Sequence, residues 1–334
     1  MKPEAPGGPG AQPEVLCLGE TMVMVTPAPG GRLEAGSSFL LRAGGAESNV
    51  AMFLAELGHR AAWLSRVGGD PLGALLLSEV AATGVDTSLV EASSGEPTGV
   101  YFKDPGPHGT AVYYYRRGSA ASAMSPEFLR RHGPRSAAVV HTSGITAALS
   151  DSCLDLVRHV VVDRPLPDAI VSFDVNHRPA LWAPGAAGPV LRDLARAADV
   201  VFVGLDEAEA LWGVSSAADV RALLPDPRVV VVKDGAVEAT AFHAGGVDRV
   251  PALEVDVVEP VGAGDAFAAG WLSGMLRGLD HTARLRLGHL VAGAALSSTS
   301  DHAALPAWDV LAERLAVDAG AWKRAVEVSP GAAL

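Results

Sequence analysis

The sequence predicts an α/β fold: a central, mostly parallel sheet covered by helices on both faces, interrupted by a small β flap. Two observations point to it. Short Val-rich runs recur without polar alternation, as strands buried on both faces require, and helical stretches separate them. Two later segments break that rhythm, reading instead as paired strands around a Pro/Gly turn.

The globular pattern starts with VLCL at 15–18, a strand. Residues 46–57 read as a helix stopped by Gly58. AAWLSRV at 61–67 reads as a strand, and 71–83 as a helix with Pro71 at its start and Gly84 at its end. Further strands are expected at 137–143, 169–175, 200–203 and 229–233. The flap pairs TGVYFKD at 98–104 with TAVYYYRR at 110–117 across PGPHG. Residues 21–42 are similarly strand-like, so a discontinuous antiparallel lid is expected at about 21–42 and 97–118. Residues 1–13 are rich in Pro, Gly and Ala and read as a disordered tail. One domain is expected over 14–317, with a C-terminal tail at 318–334.

Composition bounds the function. With 334 residues, 49% of them hydrophobic, a large core can be buried. The 26 basic and 38 acidic residues give a net charge of −12, which offers no general attraction to nucleic acid or anionic lipid. An anionic substrate therefore needs local basic residues. Cys17 and Cys153 lack CxxC or zinc spacing and suit a reducing compartment, with pairing between them left open. No apolar leader or bilayer-length run is visible, so a cytoplasmic protein is expected.

The segment EPVGAGDAFAAGWLSGML at 259–276 carries the strongest chemical signal. Gly262, Ala263 and Gly264 are small enough for a backbone to approach a ligand, and a helix follows. The free N–H groups and dipole of its first turn make an anion site. Asp265 stands within that turn. The plain reading is a carboxylate that offsets the helix dipole. The sharper one is a base beside developing phosphate charge, which suits phosphoryl transfer. The Walker signature GxxxxGK[ST] is absent.

GAGDAFAAG resembles the C-terminal signature of the ribokinase-like, or PfkB, carbohydrate kinases. AGGAESNVA at 43–51 with LGHRAAWLSRVGGDPLG at 57–73 is similar to the N-terminal glycine signature of that family. DVNHRPALW at 174–182 and DEAE at 206–209 follow in the family's order, and the likeness runs from about Val15 to about Leu315. The resemblance implies a ribokinase-like three-layer α/β/α fold with a small β-sheet lid over a sugar. It also implies ATP as phosphoryl donor and Mg2+ as metal, with K+ left open as an activator. Within the family the chain is most similar to 2-keto-3-deoxygluconate kinases. The strings that carry this include GE at 19–20, TGVYF, YYYRRGSAAS, HTSGITAALS and SDHAALP.

The implied reaction phosphorylates the C6 hydroxyl of that sugar acid, giving 2-keto-3-deoxy-6-phosphogluconate. Asp265 is then the general base, and Gly262, Ala263 and Gly264 form the anion hole. Gly45 would lie against the sugar, and Tyr101 and Tyr114 would close over it. Arg116 and Arg178 would meet its carboxylate, because a guanidinium can hold one with two parallel bonds. Asn49, Ile145, Asp174, Asn176 and Asp301 complete the implied substrate set. Lys233, Gly235 and His289 fall at the nucleotide, and Glu207 at magnesium, through water. Plainer readings stand beside these: a solvated strand Arg, packing tyrosines, a solvated helix-start Glu. Three departures bear on fine specificity: Ser300 before Asp301, His289 where Asn is common, and Gly204 where a polar side chain is common. His141, His177 and His302 are not spaced as metal ligands. Alternatives are the galacto epimer, fructose or another neutral sugar, and a non-catalytic sugar or nucleotide sensor. A homo-oligomer joined through exposed lid strands is expected.

Overall fold

The computed structural model describes residues 12–28, 31–106, 109–258, 261–298 and 303–322. Among these, an eight-stranded sheet is built from β1 (Val15–Leu18), β4 (Ala61–Leu64), β9 (Val139–Ser143), β10 (Ile170–Asp174), β11 (Val200–Gly204), β12 (Val229–Asp234), β13 (Glu238–His243) and β14 (Gly246–Pro251). The order is β14-β13-β12-β11-β10-β9-β1-β4. From β4 to β12 the pairing is parallel, and β13 and β14 add an antiparallel hairpin at one edge.

The absence of polar alternation has its cause in this sheet. Val15 and Cys17 enter one core while Leu16 and Leu18 enter the other, so each strand buries both faces. On the first face the helices Ala46–Glu56, Ala263–Leu276 and His281–Leu296 pack around Trp63, Phe202 and Trp271. On the second, Asp151–Arg158 and Ala187–Ala197 cover Phe173 and Val201. The three-layer α/β/α architecture follows.

The lid is a four-stranded sheet in the order β3-β2-β7-β8, made of β2 (Met22–Pro27), β3 (Phe39–Gly44), β7 (Val100–Gly106) and β8 (Gly109–Tyr115). It is mixed rather than antiparallel throughout, because β2 and β7 run parallel. The strand expected at 61–67 is two. After β4 the chain leaves the main sheet at Ser65, and β5 (Arg66–Gly68) pairs in parallel with β6 (Glu91–Ser93). Arg66 anchors that turn-off through an ion pair to Glu91 at 2.9 Å. Beyond 317 the chain forms a short helix, Ala319–Trp322, and Trp322 is buried, its indole donating to the Pro251 carbonyl at 2.9 Å. The remainder of both expected tails lies outside the described residues. Cys17 and Cys153 are buried and unpaired with each other. No described helix is long and apolar enough to cross a membrane.

Candidate active site

The cleft lies at the C-terminal ends of the parallel strands, where an open α/β sheet leaves room for ligands. β10 ends at Asp174, β11 ends at Gly204, and Gly204 pairs in register with Lys233 on β12. Three neighbouring strands therefore deliver a carboxylate, a bare backbone and an ammonium to one place. Lys233 Nζ donates to Asp174 Oδ2 at 3.0 Å. Burial works against the Lys233 charge, but Asp174 and then Glu207 raise its pKa. Glu207 opens the helix Leu205–Trp212, and its two oxygens accept from the backbone N–H of His177 and of Gly204, both at 3.0 Å. Burial, and then Asp174, push its pKa up.

The helix Ala263–Leu276 starts behind Gly262, whose φ of 86° lies in the left-handed region that favours glycine. Its small residues let it press on a neighbour: a Cβ at Gly270 would meet the Leu287 carbonyl at 2.6 Å. Asp265 stands in its first turn. The amide of Asn49 donates to Asp265 Oδ2 at 2.9 Å, and that of Asn176 reaches Oδ1 at 3.5 Å. Burial raises the Asp265 pKa to about 7. The Asn49 hydrogen bond opposes that rise, Asp174 adds to it, and Arg178 and Lys233 oppose it. Asn176 holds a φ of 37°, a conformation Asn tolerates better than most residues. Asn49 Oδ1 and Asn176 Oδ1 are buried without a partner among the described residues, two acceptors that a ligand hydroxyl can use.

Above this floor the lid encloses a cleft of about 930 Å³. Tyr101 and Tyr114 sit opposite each other on β7 and β8 with ring centroids 5.6 Å apart. Arg116, just beyond β8, donates from Nε to Glu20 Oε2 at 2.7 Å, and its Nη2 pairs with the same oxygen. Ser119 Oγ donates to Glu20 Oε1 at 2.5 Å. Arg116 Nη1 has no partner among the described residues.

Every candidate residue within the described chain borders this one cleft. Gly45, Tyr101, Tyr114 and Arg116 lie on its lid side, and Asn49, Ile145, Asp174, Asn176, Arg178 and Asp265 along its floor. Lys233, Gly235, His289 and Glu207 extend it away from the lid. Asp301, with Ser300 and His302, lies outside the described residues. Two of these residues also have partners within the protein itself. A Cβ at Gly45 would collide with the Glu20 carbonyl and approach Thr21 Cα at 2.7 Å, so protein backbone already demands glycine there. His289 is neutral: burial lowers its pKa to about 4, and its Nε2–H donates to the Val250 carbonyl at 3.1 Å. Of the other histidines, His141 is buried and hydrogen-bonded to Ser172 at 3.0 Å.

Among the lining residues to which the sequence reading gave no individual role are Glu20 and Lys103. Lys103 is two residues from Tyr101 on β7 and so shares its face, a period-two signal that TGVYFKD contains. Glu20 has no such signal, because its partner lies 96 residues away.

Seven described lining residues are acidic, and four are basic: Lys103, Arg116, Arg178 and Lys233. A polyphosphate therefore needs backbone N–H groups and a bound cation as well as side chains. Among the described residues no group of three or more His, Cys, Asp or Glu is placed to hold a metal. Each Glu207 oxygen already accepts from a backbone donor, which suits an outer-sphere role toward Mg2+ through water.

The sequence profile of the pfkB family carbohydrate kinase matches residues 12–308. The chain belongs to that family. This carbohydrate kinase is 37% identical over 310 residues to the 2-dehydro-3-deoxygluconokinase of Bacillus subtilis, covering 90% of this chain and 95% of the relative. It is 33% identical over 271 residues to the 2-dehydro-3-deoxygalactonokinase of Haloferax volcanii, covering 79% and 85%. The crystal structure of a PfkB protein from Polaromonas sp. JS666 superposes with a TM-score of 0.80 at 34% identity, covering 91% of this kinase and all of that chain. ATP is a substrate of kinases of this family. The kinase's N-terminal glycine string and its GAGD string, more than 200 residues apart, border the same cleft through Asn49 and Asp265.

Proposed function

We propose that this kinase transfers the γ-phosphoryl group of ATP to the C6 hydroxyl of 2-keto-3-deoxygluconate. The observation that carries the reading is Asp265, held by two amides at the head of a helix with its pKa raised to about 7. That value makes it a usable base near neutral pH. As the hydroxyl oxygen bonds to the γ-phosphorus and the bond to ADP breaks, Asp265 takes the hydroxyl proton. The N–H groups of Gly262, Ala263 and Gly264 hold the charge on the phosphoryl oxygens. Glu207 would reach a Mg2+ ion through water, and that ion would supply further neutralisation of the phosphates. Arg116 and Arg178 face the carboxylate of the sugar, Tyr101 and Tyr114 close over it, and Gly45, Ile145, Asp174, Asn176 and Asp301 complete its surroundings. Lys233, Gly235 and His289 border the nucleotide. A sensor would have no need of such a base.

The names of the two relatives divide between the gluconate and galactonate forms, so both epimers belong to the substrate class. One observation favours a second reading, a neutral ketose such as fructose. Glu20 already pairs with Arg116 and cancels much of its charge. Coupled ATP turnover against both keto-deoxy acids, fructose and ribose decides. The first reading requires a keto-deoxy acid to give the highest kcat/KM, and a higher value for fructose overturns it. The enzyme is proposed to act in the cytoplasm, where buried, unpaired Cys17 and Cys153 are at home. It is proposed to act as an oligomer joined through its lid.

A further inference from the structure

We propose that Lys233 is a catalytic residue, its ammonium contacting the phosphoryl group in transit, and that Asp174 positions it. The inference rests on the kinase reading of the cleft but not on the identity of the sugar.

The placement of Nζ carries it. An ammonium has three donors, and among the described residues only one is used, by Asp174 at 3.0 Å. A Cβ built on Gly264 would stand 3.3 Å from Nζ, so the ammonium sits over the first turn of the helix Ala263–Leu276. The N–H groups of that turn have no intrahelical acceptor, and the helix end carries partial positive charge. A cation set against a positive helix end is unfavourable unless an anion bridges the two. Asp174 and Glu207, and then Asp265 in that same turn, offset part of this cost by favouring the charged ammonium. The open donors of Lys233 and of the helix turn then converge on one space, and an anionic group with several acceptor oxygens suits it. The phosphoryl group in transit is such a group.

The arrangement also accounts for Gly264. Glycine there leaves room for the ammonium as well as for a ligand, since any Cβ would press on Nζ. During transfer the bond from the sugar oxygen to phosphorus forms, the bond from phosphorus to the ADP oxygen breaks, and the proton goes to Asp265. Lys233 gives up no proton. It donates hydrogen bonds and charge to the phosphoryl oxygens, a contribution that preorganised donors make without rearranging.

The test separates the γ-phosphate from the rest of the nucleotide. Lys233→Met should lower kcat roughly 100- to 1,000-fold, with the sugar KM nearly unchanged. By calorimetry it should weaken ATP binding roughly 10- to 150-fold more than ADP binding. Removing the ammonium leaves Asp174 unpaired, so the charge-neutral double variant Lys233→Met with Asp174→Asn is measured alongside. Its kcat should also stay roughly 100-fold or more below wild type, which shows that the loss comes from the missing ammonium and not from an unpaired Asp174. A kcat within about threefold of wild type overturns the proposal, as does an equal loss of ATP and ADP affinity. The binding arm reads Lys233 whichever sugar is used. Wild-type protein that turns over no sugar with ATP would instead count against the kinase reading.

Discussion

As the proposed base, Asp265 has to lose its proton in surroundings that penalise its charge, and both sides of that conflict are measurable. With the pKa at about 7, kcat should fall about tenfold per pH unit below that value, as the base becomes protonated. The stability consequence has a definite sign. The folded pKa lies above the ordinary 3.8, so between about pH 4 and pH 7 the folded state holds a proton that the unfolded state has lost. Stability from this group is therefore greatest at low pH and declines as pH rises through the window, by up to about 4 kcal/mol. Asp265→Asn should be more stable than wild type at pH 8 and close to it at pH 4. Urea unfolding at the two pH values measures the difference, and an equal difference at both would contradict the buried-charge account. A second residue-scale prediction concerns Arg116. If it meets a carboxylate through Nη1, Arg116→Ala should raise KM for the keto-deoxy acid roughly 10- to 150-fold and change KM for fructose much less. Arg117→Ala is the control, because Arg117 is exposed and does not border the cleft. Equal losses on both sugars would remove the carboxylate role.

At the scale of elements, the first turn of the helix Ala263–Leu276 sets Gly264 against Lys233 and carries Asp265. Gly264→Val would add a branched side chain where even a Cβ lies 3.3 Å from Lys233 Nζ. Turnover should be lost while the helical circular dichroism stays that of wild type. Survival of turnover would mean that this loop holds no phosphate. That helix was legible in the sequence because glycine, carboxylate and helical spacing are local signals. So were the Val-rich strands, since burial on both faces removes polar residues from the chain itself. The hairpin β13–β14 was not legible. Its strands mix Glu, His, Asp and Arg with apolar residues, and the outer strand β14 is largely uncovered while β13 is mostly buried. The break at Ser65 was hidden for a related reason: it depends on Arg66 meeting Glu91, a contact that lies 25 residues along the chain. The pairing of Glu20 was missed in the same way. Sequence patterns report what a residue's own strand or helix demands, and the cleft adds pairings made only after folding.

For the whole molecule, the lid leaves a feature that a single chain does not use. β3 and β8 are the edges of the lid sheet, and Phe39, Leu40, Leu41, Tyr113 and Tyr115 on them are exposed. Exposed strand edges with apolar side chains invite pairing with another copy. Leu41→Asp should shift the protein toward monomer in light scattering if the lid joins subunits, and an unchanged mass would place any interface elsewhere. The lid and the sheet ends both line the cleft, and the reaction proposed there depends on one proton transfer. ATP turnover with 2-keto-3-deoxygluconate, compared between wild type and Asp265→Asn, tests this most directly. The account predicts clear wild-type turnover and a loss of roughly 10²- to 10⁴-fold in the variant, with ATP affinity retained. Near-normal turnover by Asp265→Asn would contradict it.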